Sequence, residues 1–164
     1  EVGQEYLQNV LNTDKKLDAY DSGRIYYYLG DYQKAYLALE EAKGKGGVDS
    51  YLYLGKAYAA TGDYNYASSV YSNYLSKQGP DAEIYNQLGL CELAKKDYQK
   101  ALEAFQAGKQ IEGNSLMQTL SFNEIVAYEY LQDYQKAAVL LKAYLQNYPD
   151  DQTAIREQQF LSTR

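Results

Sequence analysis

The chain has no histidine and no tryptophan, and its 164 residues include only one cysteine, one methionine and two prolines. Without histidine it lacks the commonest general base and the commonest neutral metal ligand, so no Ser-His-Asp or Cys-His arrangement can be assembled. One cysteine, Cys91, closes off intramolecular disulfides and cysteine metal clusters. Between Leu90 and Glu92 it reads as a small buried hydrophobe rather than a reactive thiol. Pro80 and Pro149 fall where structural units would join, which leaves helix interiors uninterrupted. No apolar run approaches the length of a membrane span. Lys43-Gly44-Lys45-Gly46-Gly47 is glycine-rich but has no strand before it, so it reads as a connector and not a phosphate cradle. The pairs Glu40-Glu41 and Asp150-Asp151 point in different directions on a helix and make poor catalytic dyads. We therefore expect no enzyme activity, no cofactor and no metal.

Positive charge is also in short supply. Sixteen Lys and Arg against 22 Asp and Glu give a net charge of −6, which argues against a nucleic-acid partner, since that binding depends on cations neutralising phosphates. The chain begins at Glu1 rather than methionine, which leads us to expect a mature or surface-anchored extracytoplasmic protein, or a fragment of one, ahead of a cytoplasmic one.

What is present is a phrase used four times. It stands at Gly30-Asp31-Tyr32-Gln33-Lys34-Ala35, Gly62-Asp63-Tyr64-Asn65-Tyr66-Ala67, Lys96-Asp97-Tyr98-Gln99-Lys100-Ala101 and Gln132-Asp133-Tyr134-Gln135-Lys136-Ala137. The Asp-Tyr pairs recur at intervals of 32, 34 and 36 residues, a period that signals a stacked array of small units. Before each pair lie large residues at helical spacing, such as Tyr51, Leu54 and Tyr58, or Tyr85 and Leu88. Each aspartate then starts a second helix, its carboxylate accepting from first-turn N–H groups, with Gly30 and Gly62 making the bend before it.

This places first helices at 17–29, 49–60, 82–95 and 116–131, and second helices at 32–43, 64–77, 98–110 and 134–147. Residues 2–12 read as the second helix of an unfinished earlier unit. Residues 151–162 read as a polar terminal cap with Ile155 and Leu161 inward and Arg156, Glu157 and Gln158 outward. We expect an all-α chain forming one domain over 1–164, with units near 16–47, 48–80, 82–113 and 116–149 and a capping helix over 151–162.

These residues resemble the tetratricopeptide repeat, a helix-turn-helix family with a unit of about 34 residues. The second copy carries the resemblance best: Tyr51, Leu54, Gly55, Tyr58, Gly62, Asp63, Tyr64, Ala67 and Tyr71, with Gly79-Pro80 at its end. The third keeps Tyr85, Leu88, Gly89, Ala101 and Phe105 but has Glu92 where tyrosine is usual. The first keeps Gly23, Tyr26, Ala35 and Ala42, with Leu39 in place of the aromatic. The fourth departs most, with Ser121, Glu124 and Ile125 at packing positions, while Tyr128, Ala137, Leu141, Tyr144 and Pro149 hold the frame. The resemblance implies a right-handed superhelical solenoid whose first helices line a concave groove that binds an extended peptide or a helix of a partner protein.

Tyrosine is the compositional outlier, at 21 residues. Those at the repeat's aromatic positions, Tyr26, Tyr58 and Tyr71 among them, are expected to pack the frame. The remainder include groove-facing positions on first helices. In the first unit these are Tyr20, Arg24, Tyr27 and Tyr28, and in the second Leu52, Tyr53 and Lys56. The third unit offers Asn86, Gln87 and Leu90, and the fourth Phe122, Asn123, Val126 and Tyr130. Rigid amphipathic rings mixed with amides and cations suit a binding face; the plainer alternative is that they pack against neighbouring helices. Only Arg24 and Lys56 are basic there, so the carboxylate clamp that some members of this family use is not expected.

The resulting expectation is a non-enzymatic scaffold with a protein or peptide partner, monomeric ahead of oligomeric. The alternatives are an assembly element, self-associating through its end helices or through Tyr36 and Tyr66, or a spacer or regulatory module of a longer, surface-anchored protein.

Overall fold

The computed structural model describes residues 2–13 and 16–164, and among these the chain forms ten helices and no strand. In chain order they are α1 (Val2–Thr13), α2 (Ala19–Leu29), α3 (Tyr32–Glu41), α4 (Val48–Ala60), α5 (Tyr64–Gln78), α6 (Ala82–Ala94), α7 (Tyr98–Lys109), α8 (Met117–Tyr130), α9 (Tyr134–Asn147) and α10 (Gln152–Leu161). Every boundary lies within two residues of the expectation from sequence.

The repeated phrase explains that agreement. Before each second helix one residue is left-handed: Gly30 (φ 79°), Gly62 (φ 85°), Lys96 (φ 65°) and Gln132 (φ 62°). The N–H of the following aspartate then reaches back to the first helix, donating to the carbonyls of Tyr26, Tyr58, Glu92 and Tyr128 at 2.9–3.0 Å. That is the Schellman closure of a helix C-terminus. The same aspartates turn their carboxylates forward and accept from the N–H groups of Lys34, Tyr66, Lys100 and Lys136 at 3.0–3.5 Å. One residue thus closes one helix and opens the next.

Packing divides the chain into two compact units, one running to Gly79 and the other from Pro80 to Arg164. In the first, Ala35, Leu39, Leu54, Ala57 and Val70 form the core. Gly55 lets α5 approach α4: a Cβ at this position would stand 2.2 Å from the Tyr71 ring. Helix α4 packs against α2, α3 and α5, so Leu52, expected to face the groove, is buried instead. Tyr36 is likewise not an outward ring, because it is half-buried and stacks on Tyr58 at 4.6 Å. Tyr66 lies 4.3 Å from the same Tyr58 ring but remains 46% exposed. Helix α1 has no buried residue, and a cleft of about 540 Å³ separates it from Tyr26, Asp31 and Lys34.

In the second unit Gly89 repeats the device, with Phe105 2.3 Å from where a Cβ would fall. The fourth repeat instead has Ile125 at this position and Leu141 opposite, both within one core with Ala137, Tyr144, Ala154 and Leu161. A second departure, Glu124, is buried and pairs with Lys109 Nζ at 2.5 Å, while Gln106 Nε2 also donates to it at 2.9 Å. Glu92, in the tyrosine position of the third repeat, is buried against Lys95 at 2.9 Å. Cys91 is buried, and burial pushes its thiol up to about 12. In α10, Ala154 and Leu161 face inward and Ile155 is half-buried. Glu157 does not point simply outward, since its carboxyl meets that of Glu129.

Candidate interaction surface

Two first helices of the first unit, α2 and α4, bring six of the expected residues onto one face. Tyr20 and Arg24 are four residues apart on α2 and therefore stacked along one side of it. The Arg24 guanidinium lies 5.2 Å from the Tyr20 ring centre and 5.3 Å from that of Tyr53 on α4. It is a cation between two aromatic faces. One turn further along α2, the Tyr28 hydroxyl meets the Tyr53 hydroxyl at 2.5 Å. Tyr27, Tyr28 and Tyr53 form a mutual edge-to-face cluster with centroid separations of 5.5–5.8 Å. Lys56 lies within electrostatic reach of Tyr28.

Acids balance the cations. Asp21 stands 3.9 Å from Arg24, and Tyr20 donates to Asp49 at 3.4 Å. The hydrogen bond to Tyr53, then burial, hold the Tyr28 phenol above its ordinary value, and burial does the same for Tyr20 and Tyr27. These phenols are accordingly neutral donors at physiological pH.

The second unit arranges its expected residues differently. Asn123 of α8 donates its amide to the carbonyl oxygen of Asn86 on α6 at 2.8 Å, and Asn86 is buried. Gln87 is turned along its own helix and donates to Glu83 at 2.9 Å. Phe122 packs on Tyr144 at 5.6 Å. Tyr130 stacks flat on Tyr98 at 4.9 Å and keeps 54% of its surface exposed. The structure thus joins Asn86 to Asn123, while Gln87, Phe122 and Tyr130 each engage a different neighbour.

Sequence reasoning missed three members of the first-unit face. Tyr32, assigned to the frame, lies 5.6 Å from Tyr27 and extends the ring cluster. Asp21 and Asp49 supply the counter-charges, and for Asp21 the three-residue spacing to Arg24 was a usable signal.

Models of the tetratricopeptide repeat match residues 52–115 and 122–151, between them more than half of the chain. The chain is a tetratricopeptide-repeat protein. Its all-α fold of paired helices is shared by a crystal structure of MamA, which is 21% identical, aligns over 87% of this chain and 78% of that one, and gives a TM-score of 0.75. A MamA structure from AMB-1 is 22% identical over 98% and 81% of the two chains, with a TM-score of 0.69. An NMR structure of the second TPR domain of human RPAP3, in complex with an HSP70 peptide, is 16% identical over 67% and 90%, with a TM-score of 0.60. Among curated proteins none matches the chain. Tetratricopeptide repeats are in general non-catalytic interaction modules, so membership supports an interaction-scaffold role. No helix among the described residues is long and apolar enough to cross a membrane.

Proposed function

We propose that the chain is a non-enzymatic scaffold holding a peptide or helical segment of a partner protein, and that the α2–α4 face of the first unit makes the principal contact. The carrying observation is the Arg24 guanidinium between the Tyr20 and Tyr53 rings, continued by the Tyr28–Tyr53 hydroxyl pair. Planar groups locked against one another present area without freezing further rotors when a ligand arrives, so little of the binding free energy is lost to ordering the scaffold. In the second unit the half-buried Asn123, held by the buried Asn86, offers a second, amide-bearing element. That the second TPR domain of human RPAP3 holds an HSP70 peptide supports peptide binding as a use of this fold. The test is capture from a display library of random peptides by the wild-type chain and by Arg24→Ala, Tyr28→Ala and Tyr53→Ala variants whose far-UV circular dichroism is unchanged. Capture is expected to fall in all three. Equal capture by wild type and variants would refute the assignment of this face.

A second reading, assembly, is favoured by one observation. Val2 and Tyr6 of α1 stand 33 residues before Ala35 and Leu39, which are fully buried, yet they are 82% and 68% exposed. They are the apolar positions that the later second helices cover. Light scattering over a hundredfold concentration range, with Tyr6→Ser as comparison, distinguishes the readings. A constant monomer mass removes assembly; a dimer lost in Tyr6→Ser supports it.

A further inference from the structure

A second site, outside the α2–α4 face, is marked by a ring that one repeat has and the preceding one lacks. In the second repeat the Tyr58 ring carries Tyr36 flat against it, at 4.6 Å and 10°, and Tyr66 at 4.3 Å. Its hydroxyl donates to Glu40 at 3.4 Å. In the fourth repeat the matching Tyr128 packs on the core that contains Leu102, and Gln106 donates to its hydroxyl at 3.3 Å. Tyr36 and Leu102 each stand five residues after their unit's aspartate, and Glu40 and Gln106 each stand nine after it. The tyrosine near the end of a first helix is thus met by the preceding second helix, with a large side chain and, four residues on, a polar one.

The interval of 32 residues between the first two Asp-Tyr pairs carries Tyr58 back to Tyr26, Tyr66 to Lys34, Glu40 to Gln8 and Tyr36 to Gln4. Tyr26, Lys34, Gln8 and Gln4 all line the cleft of about 540 Å³ beside α1. Lys34 takes the place of Tyr66, its ammonium 5.5 Å from the Tyr26 ring centre. The place of Tyr36 falls instead to an exposed glutamine, and the cleft opens beside it. Half-buried Leu11 and Leu29 supply apolar wall. Along α1, Gln4, Gln8 and Asn12 follow at four-residue intervals and set three carboxamides on the cleft side. Lys34 is neutralised by Asp31 at 2.7 Å, and of the other lining residues only Glu5 is charged.

We propose that this cleft takes an aromatic side chain of a partner protein, phenylalanine or tyrosine, in the place that Tyr36 holds over Tyr58. A ring there gains a stacked contact with Tyr26 and buries its edges against Leu11 and Leu29. The carboxamides of α1, each both donor and acceptor, pair with the partner's backbone on either side of the ring. A free aromatic acid is a poor occupant, because its carboxylate would meet Glu5 while Lys34 is already bound to Asp31. The site uses none of Tyr20, Arg24, Tyr28 and Tyr53, so it stands or falls separately from the α2–α4 face.

The probes are Gly-Ser octapeptides carrying a central Phe, Leu or Ser, titrated into the isotope-labelled intact chain and followed by amide shifts. The Phe peptide is expected to move amides of α1, Tyr26 and Lys34 and to bind about fivefold more tightly than the Leu peptide, while the Ser peptide moves none. Tyr26→Leu should weaken the Phe peptide about tenfold. Gln4→Tyr, which gives the cleft a ring of the chain's own at an exposed position, should weaken it as far and keeps the test valid if Tyr26→Leu misfolds. Three results would each overturn the assignment: no Phe-dependent shift in α1, equal binding of the Phe and Leu peptides, or undiminished binding to Gln4→Tyr.

Discussion

The hydroxyls of Tyr28 and Tyr53, one on each of two neighbouring first helices, meet at 2.5 Å and tie α2 to α4 at the end of a series that starts with Tyr20. Tyr28 is more than half exposed, so its hydroxyl can bond to water when the partner is lost. Tyr28→Phe should therefore cost no more than about 0.5 kcal/mol. Tyr53→Ala removes a ring that touches Tyr27, Tyr28 and Arg24 and should cost about 2 kcal/mol. Urea unfolding gives both values. Absorbance at 295 nm supplies a second check: the Tyr28 phenol ionises above its ordinary value of about 10, and in Tyr53→Phe it should move back towards it. Because the folded value is the higher one, the pair's stabilisation is complete below pH 10 and is lost as the solution is made more alkaline.

The four left-handed turns offer a controlled comparison. Lys96 and Gln132 hold the same positive φ as Gly30 and Gly62, but with a side chain, which costs about 1–2 kcal/mol in this region. Lys96→Gly and Gln132→Gly should each stabilise the chain by about 0.5–1 kcal/mol after the extra unfolded-state entropy of glycine is subtracted. Gly30→Ala and Gly62→Ala should destabilise by about 1 kcal/mol, although a Cβ at either position meets nothing within 4 Å. Chemical denaturation that places the glycine variants below wild type would contradict this account.

The same comparison shows which features the sequence could and could not reveal. The helix boundaries were readable because one aspartate per unit both closes and opens a helix, and its spacing is visible in the chain. Equivalence with Gly30 and Gly62 also marks Lys96 and Gln132 as left-handed positions. The face was only partly legible. Arg24 and Tyr20 follow from a four-residue spacing, but the Tyr28–Tyr53 contact depends on how two helices are rotated, and one residue of register turns a helix by about 100°. Leu52 was misplaced for that reason: it is adjacent to Tyr53, yet it points into the core. Glu124 and Glu92 stood out as departures from the repeat, but nothing local to Glu124 pointed to Lys109, 15 residues earlier, as its partner.

That buried pair yields an asymmetric prediction. Glu124 is 6% exposed, whereas a quarter of the Lys109 side chain reaches solvent. Lys109→Met would leave a buried carboxylate with the Gln106 amide, which it shares with the Tyr128 hydroxyl, as its remaining donor among the described residues, and should cost about 3 kcal/mol. Glu124→Leu leaves an ammonium that can turn to water and should cost about 1 kcal/mol. The double variant restores an apolar packing position and should lie close to wild type. A double-mutant cycle in urea measures the coupling, and additive costs would show that the two charges do not act as a pair.

The terminal helix carries a pH dependence of definite sign. One carboxyl oxygen of Glu129 is buried without a donor, and burial, followed by the neighbouring Glu157 carboxylate, raises Glu129 to about 7. Its folded value is thus above its ordinary 4.5, and between these limits the folded state holds the extra proton. Stability is therefore greatest below the window and falls as pH rises through it. Asp151, at the start of α10, behaves oppositely. The Tyr144 hydroxyl bond at 2.6 Å holds it below 3.8, so its contribution is lost only in more acidic solution. The second unit should consequently be most stable near pH 4, between the two windows, and lose about 1 kcal/mol by pH 8, the magnitude being limited by solvent screening. Thermal melts from pH 5 to pH 8 should show this decline in wild type and a flat profile in Glu129→Gln, where an amide can donate to Glu157 at every pH. An undiminished slope in the glutamine variant would place the titrating group elsewhere.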